Sequence, residues 1–372
     1  MKKALGAAFF YARFAIPFSR IGFRRRVGGA GLDADFSGQR WVVSGATGGI
    51  GRAIALGAAA RGATVLALGR DSRKLDALAK QATGAGCIQA VPVDLSLMRD
   101  VARAAADIAR AGQVHVLVHN VGVMCHAFEQ TAEGLERGFA TNLLGHWVLD
   151  QGLRRGGALD EGSAIISMSS GGMYGAALDI DALQAGDAAS HDGFNAYAQH
   201  KRAQVELTHY WNSLGPGQPR AWVMHPGWVD TDGVRSALPG FRRLFRAVLR
   251  YAEEGADTAL WLAATRPDTG EGIWLDRQRD DEHAFGFTRA GAKAGPLVAA
   301  LRSFAHVHDP RPLEPERPLP TDCCDSGCAV CVFDSYAEDM DHYHALLAQW
   351  KDRHPGLDRG PDAGHQSTPK SK

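Results

Sequence analysis

Tyr197 and Lys201 stand four residues apart in Tyr197-Ala198-Gln199-His200-Lys201. On a helix that spacing puts a phenol and an ammonium on one face. A cation beside a phenol stabilises the phenolate, which makes the tyrosine usable as a general acid or base near neutral pH. Such a pair also occurs by chance on helix surfaces, so its weight depends on its company. Upstream, the apolar run Ala164–Met168 ends in Ser169-Ser170, and α/β proteins build their sites at the carboxyl ends of strands. Nearer the start, Val42-Val43-Ser44-Gly45-Ala46-Thr47-Gly48-Gly49-Ile50-Gly51 follows a strand pattern and opens an alanine-rich helical one. Glycines at 45, 49 and 51 allow a tight turn, close approach of a pyrophosphate and close helix–strand packing. The first N–H groups of the helix would face the phosphates, where its dipole favours negative charge. The turn reads as a dinucleotide site.

At the end of the next strand pattern stands Leu68-Gly69-Arg70. Sites that select NAD put a carboxylate here for the ribose 2′-hydroxyl. Gly69 leaves that place empty, and the Arg70 guanidinium is suited to a 2′-phosphate. NADP is therefore the expected cofactor, with NAD compatible; the plainer alternative makes Arg70 an ordinary solvated loop residue.

The elements that must position these groups follow from periodicity. Expected strands are Trp41–Val43, Thr64–Leu68, Ile88–Val93, Val114–Val118, Ala164–Met168, Ala221–Met224 and Ile273–Leu275, alternating with helical patterns. Continuous apolar runs fit parallel strands covered on both faces. The expected fold is a Rossmann-type α/β protein, a doubly wound parallel sheet of about seven strands with helices on both faces, plus a small cysteine-rich C-terminal module.

The chain has 372 residues with 41 basic and 41 acidic side chains, so no global charge draws it to nucleic acid. Four of its six cysteines cluster between Cys323 and Cys331, which is not a disulfide framework for a secreted fold; a cytoplasmic setting is expected. Residues 1–18 are too short and too interrupted, by Arg13, for a membrane span, and lack a small-residue cleavage site. Phe9, Phe10, Phe14 and Phe18, followed by Arg20, Arg24, Arg25 and Arg26, leave two readings: a peripheral membrane contact through residues 1–26, or a helix docked on the protein's own body. The expected boundaries are 1–37 for this basic aromatic segment, 38–307 for the Rossmann domain, 308–321 for a proline-rich linker, 322–353 for the cysteine module and 354–372 for a disordered tail.

Taken in order, Ser44-x-x-x-x-Gly49-Ile50-Gly51, Asp94, Asn120-Val121-Gly122, Asn142, Ser170, Tyr197-x-x-x-Lys201 and Pro226-Gly227 with Thr231 resemble the short-chain dehydrogenase/reductase family. The resemblance covers roughly residues 38–306. Finer features, among them Ser169-Ser170-Gly171-Gly172-Met173 and His225-Pro226-Gly227-Trp228-Val229-Asp230-Thr231, are similar to the dehydrogenase/reductase member 12 type. The resemblance implies that Ser170 binds the substrate oxygen and that Tyr197 transfers the proton. It implies that Lys201 holds the nicotinamide ribose and depresses the tyrosine pKa, and that Asn142 holds a water linking Lys201 to solvent. Cofactor contacts would come from Gly45, Thr47, Gly48, Gly49, Ile50 and Gly51 at the turn, and from Arg70, Asp94 and Leu95 after the second and third strands. Asn120 and Gly122 would border the adenosine, and Pro226, Gly227, Val229 and Thr231 the carboxamide, with Tyr197 and Lys201 at the ribose. His119 stands where the family has a second asparagine that braces neighbouring strands, which puts that support in doubt. Met173, Tyr174, Trp228, Leu238 and Phe241 suggest an apolar pocket.

The run Cys323-Cys324-Asp325-Ser326-Gly327-Cys328-Ala329-Val330-Cys331 contains one CxxC pair, a spacing that suits a tetrahedral metal. Tyr336, Met340, Tyr343, Leu347 and Trp350 follow at helical spacing and form one apolar face. The run resembles the oxidoreductase-like domain. Cys323, Cys324, Cys328 and Cys331 could hold zinc or an iron–sulfur cluster, or remain free thiols, with His306, His308, His342 and His344 as alternative ligands.

The expected function is an NADP-dependent oxidoreductase interconverting a carbonyl and an alcohol on a small apolar substrate, in a chain that can form homo-oligomers. The competing reading is a nucleotide-binding scaffold that recruits a protein partner through its cysteine module.

Overall fold

The computed structural model describes residues 10–184, 187–268, 272–308, 314–315, 317–318 and 332–353. Its contacts divide the chain into two compact units, Met1–Ala305 and His306–Lys372.

The first unit is built on one eight-stranded sheet in the order β3-β2-β1-β4-β5-β6-β7-β8. The strands are β1 (Arg40–Ser44), β2 (Thr64–Gly69), β3 (Cys87–Pro92), β4 (Val116–His119), β5 (Ala164–Met168), β6 (Arg220–Met224), β7 (Ile273–Leu275) and β8 (Gln278–Asp280). The first seven run parallel and β8 returns antiparallel. The seven expected strands are all present. The eighth, Gln-Arg-Asp, carries no apolar run to announce it; backbone pairing of Leu275 with Gln278 makes it a strand.

Side-chain alternation splits the core into two layers. Val42, Leu66, Leu117 and Ile165 point to one face, under α4 (Met98–Arg110), α5 (Gly145–Arg155), α6 (Gly193–Ser213) and α10 (Ala294–His308). Trp41, Val43, Val65, Val116 and Ile166 point to the other, under α2 (Gly49–Ala59), α3 (Ser72–Ala79) and α9 (Ala252–Thr265). The sheet reverses its order between β1 and β4, and the turns after β1, β4, β5 and β6 leave its carboxyl edge together. That edge is where such sheets bind ligands.

A third apolar cluster belongs to the amino-terminal segment. Phe14 and Phe18 pack with Met173, Tyr174, Val205, Val223, Ile273 and Leu275. Phe18 stacks edge-on against His225 at 4.4 Å, and Phe14 stacks on Tyr174 at 5.2 Å. Phe14 and Phe18 are thus docked on the protein's own body, and α1 (Arg20–Val27) continues from them. Phe9 lies outside the described residues. No described helix is long and apolar enough to cross a membrane.

In the second unit, α11 (Val332–Arg353) turns Tyr343 and Trp350 inward, with Tyr336, Met340 and Leu347 half-buried on the same face. Cys323, Cys324, Cys328 and Cys331 lie outside the described residues, as do the side chains of His306, His308 and His342; His344 is exposed. Among the described residues no group of three or more His, Cys, Asp or Glu side chains could hold a metal ion.

Candidate active site

The glycine turn is fixed by close packing. Gly45 has φ +66°, and a Cβ there would sit 2.9 Å from Val121 Cα; one on Gly51 would sit 2.3 Å from the Gly45 carbonyl oxygen. A larger side chain at Gly45 would push the turn from the one after β4, and one at Gly51 would push α2 from the turn. Gly48 precedes α2 in an extended conformation, and a Cβ there would meet nothing within 4 Å. The start of α2 thus carries no side-chain cap and has room beside Gly48, with Thr47, Gly49 and Ile50 on the same turn.

Ser44 ties this turn to the next. Its Oγ donates to Val118 O at 3.2 Å and accepts from the N–H groups of Asn120 at 2.9 Å and Val121 at 3.1 Å. Asn120 Nδ2 donates to Ser44 O and Gly45 O at 2.9 and 3.2 Å, so this side chain braces the turn. His119 is fully buried, stacks on His146 at 4.7 Å and on Trp211 at 5.4 Å, and is pushed down to about 3 by burial. This neutral ring thus packs β4 against two helices, Gly145–Arg155 and Gly193–Ser213, by stacking.

Arg70 is more than half exposed, and its guanidinium lies 3.9 Å from Asp94 Oδ2. The other Asp94 oxygen accepts from Ser96 N and Ser96 Oγ at 2.9 and 2.7 Å. Leu95 is buried, and its carbonyl packs against Gly145 at the start of α5. On the opposite side of the turn, Thr231 caps α7 (Asp232–Ala237), and its methyl would meet a Cβ on Gly49 at 3.0 Å. Val229 and Pro226 reach Gly255 of α9 beside Ile50. Gly227 has φ +74° because the Arg250 guanidinium and Phe18 O leave no room for a Cβ.

The four expected catalytic residues come together. A Cβ on Gly172 would lie 3.7 Å from Ser170 Oγ and 3.9 Å from the Tyr197 ring, so the two side chains flank one spot, and Lys201 Nζ lies 5.6 Å from the Tyr197 ring centre. Lys201 Nζ donates to Met168 O at 2.7 Å. A Cβ on Gly122 would lie 3.2 Å from Lys201 Nζ and 3.7 Å from Asn142 Oδ1, so Gly122 keeps that corner open. Asn142 sits in a π-helical turn, Ala140–Leu144, a local widening often found at functional sites. Its Oδ1 accepts from Val123 N at 2.7 Å and its Nδ2 donates to Val123 O at 2.8 Å.

Burial raises the Tyr197 pKa, against a smaller lowering by Ser170, and burial brings Lys201 itself down to about 7. One expectation needs correction. Met173 and Tyr174 do not border an open pocket: they are buried beneath Phe14 and Phe18, and the Tyr174 hydroxyl donates to Asp281 O at 3.0 Å. Trp228 and Phe241 do pack together, in a half-buried aromatic group with Tyr11 and Phe245.

Sequence reasoning missed Gln199, Gln204 and Arg250. Gln199 pins the excursion before α6, accepting from Asp179 N and donating to Ala177 O, both at 3.0 Å. Nothing local singles them out, because their partners lie far along the chain.

Residues 45–266 match the family profile described as enoyl-(acyl carrier protein) reductase. The chain belongs to the short-chain dehydrogenase/reductase family. This short-chain dehydrogenase/reductase is 39% identical over 243 residues to dehydrogenase/reductase SDR family member 12 of Bos taurus, covering 64% of this chain and 76% of the relative. It is 31% identical over 259 residues to the polyprenol dehydrogenase of Mus musculus, covering 65% and 76%. Among solved structures, a short-chain dehydrogenase from Burkholderia cenocepacia in complex with NADP superposes with a TM-score of 0.52 at 26% identity, covering 67% of this chain and 98% of that one. A protein from Mycobacterium paratuberculosis gives 0.58 at 26% identity, covering 77% and 97%. Residues 309–352 match the profile of the oxidoreductase-like protein, N-terminal. The dehydrogenase relatives favour an enzyme, an NAD(P)-dependent oxidoreductase of CH–OH groups, over a scaffold.

Proposed function

We propose that the chain is an NADP-dependent reductase or dehydrogenase that interconverts a carbonyl and an alcohol on an apolar substrate. The observation that carries this reading is the convergence of Ser170, Tyr197, Lys201 and Asn142 beside the glycine turn. The residues fit a nicotinamide dinucleotide: a Cβ on Gly48 would meet nothing within 4 Å, the start of α2 carries no side-chain cap, and the half-exposed Arg70 guanidinium beside Asp94 offers a cation for a 2′-phosphate. When bound, NADP supplies or accepts the hydride.

The protein's own residues handle the proton. Ser170 Oγ is placed to bond the substrate oxygen, and Tyr197 OH beside it gives that oxygen a proton in reduction or takes it in oxidation. A tyrosine whose pKa is raised by burial stays protonated and holds the proton until substrate oxygen develops charge. Lys201, charged in the acid part of its range, stabilises the phenolate that remains. Trp228 and Phe241 provide an apolar wall, which favours apolar substrates and discriminates weakly among them.

Titration with NADPH and NADH, followed by a carbonyl panel, tests the reading. Tyr197→Phe should cut turnover by about 10²–10⁴-fold with cofactor affinity unchanged. Failure to bind either cofactor removes the reading altogether; turnover within twofold of the parent removes Tyr197 from the proton step.

A further inference from the structure

Gln204 lies one turn beyond Lys201 on α6, fully buried, and its amide has three partners. Lys201 Nζ donates to its Oε1 at 3.3 Å. Its Nε2 donates to Asn142 O at 2.8 Å and stands 3.3 Å from His146 Nδ1. Chemistry fixes the orientation of this amide from both ends. A backbone carbonyl only accepts, so the nitrogen must face Asn142; an ammonium only donates, so the oxygen must face Lys201. His146 Nδ1 then acts as an acceptor, and its ring carries the proton on Nε2.

We propose that Gln204 is a positioning residue for the catalytic lysine, clamping Lys201 Nζ to the π turn that carries Asn142. The clamp supplies a side-chain link between Lys201 and the Asn142 carbonyl, a connection otherwise left to water. It also gives the ammonium an acceptor besides Met168 O, and so favours the charged form of a lysine that burial disfavours. This proposal rests on the reading of Lys201 as part of the proton machinery. The groups facing the ammonium are Tyr197 and His200 from its own helix, His146 from α5, Met168 O from β5 and Asn142 from the π turn. Glu136 acts on His200.

The test uses the full chain and two nearly isosteric variants, Gln204→Met and Gln204→Glu. An NMR titration of the Lys201 ammonium in the free protein reads the clamp without any substrate. NADPH oxidation with para-nitrobenzaldehyde reads it in turnover. Gln204→Met removes the acceptor, so the lysine midpoint and the alkaline limb of turnover should both move down by about half a pH unit or more. Gln204→Glu sets a carboxylate beside the ammonium, and both should move up. NADPH affinity should stay within twofold in each. Gln204→Asn, which keeps both functions on a shorter stem, should fall between Met and the parent and keeps the test alive if Gln204→Met does not fold. A midpoint that stays fixed in both variants, or moves the same way in both, overturns the clamp. A midpoint that moves as expected in a parent protein with no turnover leaves the clamp standing and removes the enzymatic reading instead.

Discussion

At the scale of residues, the side chains that frame the proton machinery have their hydrogen-bonding groups committed to fixed partners. Ser44 is spent on the backbone of its neighbours, Asn142 on Val123, and Gln204 on Lys201 and Asn142. Ser170 and Tyr197 stand side by side, both half-buried. Arg70 is different, because its cation faces solvent beside Asp94. Replacing it by Asp would put two carboxylates where a 2′-phosphate must sit. Arg70→Asp should therefore shift the ratio of NADPH to NADH affinity towards NADH by an order of magnitude or more, read by fluorescence titration. An unchanged ratio would mean that another cation holds the phosphate.

At the scale of elements, the amino-terminal strap is joined to the site by one buried ion pair. Arg250 and Asp276 meet at 2.5 and 3.0 Å with both side chains almost fully buried. The same guanidinium donates to Pro17 O, Phe18 O, Ser19 O and Pro226 O, so strap and Pro-Gly loop share one cation. Removing one partner of such a pair strands the other charge, a loss of about 3–5 kcal/mol, whereas replacing both can be nearly neutral. Arg250→Met should thus lower urea stability strongly and expose Arg13 and Arg20 to trypsin. The double variant Arg250→Met/Asp276→Leu should recover part of the stability, the part owed to the stranded Asp276 charge, while the four carbonyls still lack that donor. A single variant as stable as the parent would show that the strap's aromatic packing suffices.

At the scale of the whole molecule, charge is segregated although the total is zero. Residues 1–32 carry seven basic and no acidic side chains. The strap buries Phe14 and Phe18 but leaves Arg13, Ile16, Ile21, Arg24 and Arg25 exposed, and α8 (Pro239–Phe245), which Tyr11 of the strap packs against, carries Leu244, 75% exposed. We propose peripheral binding to anionic membrane through this composite face, in place of the buried phenylalanines. Vesicles containing phosphatidylserine should sediment the protein while neutral vesicles should not; Arg24→Glu/Arg25→Glu should abolish the effect. Equal recovery with both vesicle types would rule out the face. The carboxyl-terminal unit is proposed to be a separate module, since every residue of the proton machinery precedes Val307. A chain ending before Pro310 should keep NADPH binding and turnover. The full chain should carry about one zinc ion or cluster, and the truncated chain none, by elemental analysis. A metal-free full chain would favour free thiols; lost turnover in a folded truncation would mean that the module completes the active site.

The glycine turn, Ser170, Tyr197, Lys201 and seven of the eight strands were legible in the sequence because local demands select them. A positive φ or a close approach calls for glycine, a parallel strand for a continuous apolar run, and a shared helix face for a spacing of four. Nothing local marks Gln204, whose partners include a carbonyl 62 residues away, or Arg250, whose partners lie up to 233 residues away. Nor does a phenylalanine at position 18 reveal whether it will enter a lipid surface or the space beside Gly171. Those choices follow from which surfaces meet once the sheet is wound. The fate of a buried polar or aromatic group depends on what desolvates it and what remains to pair with it, and only the tertiary structure supplies both.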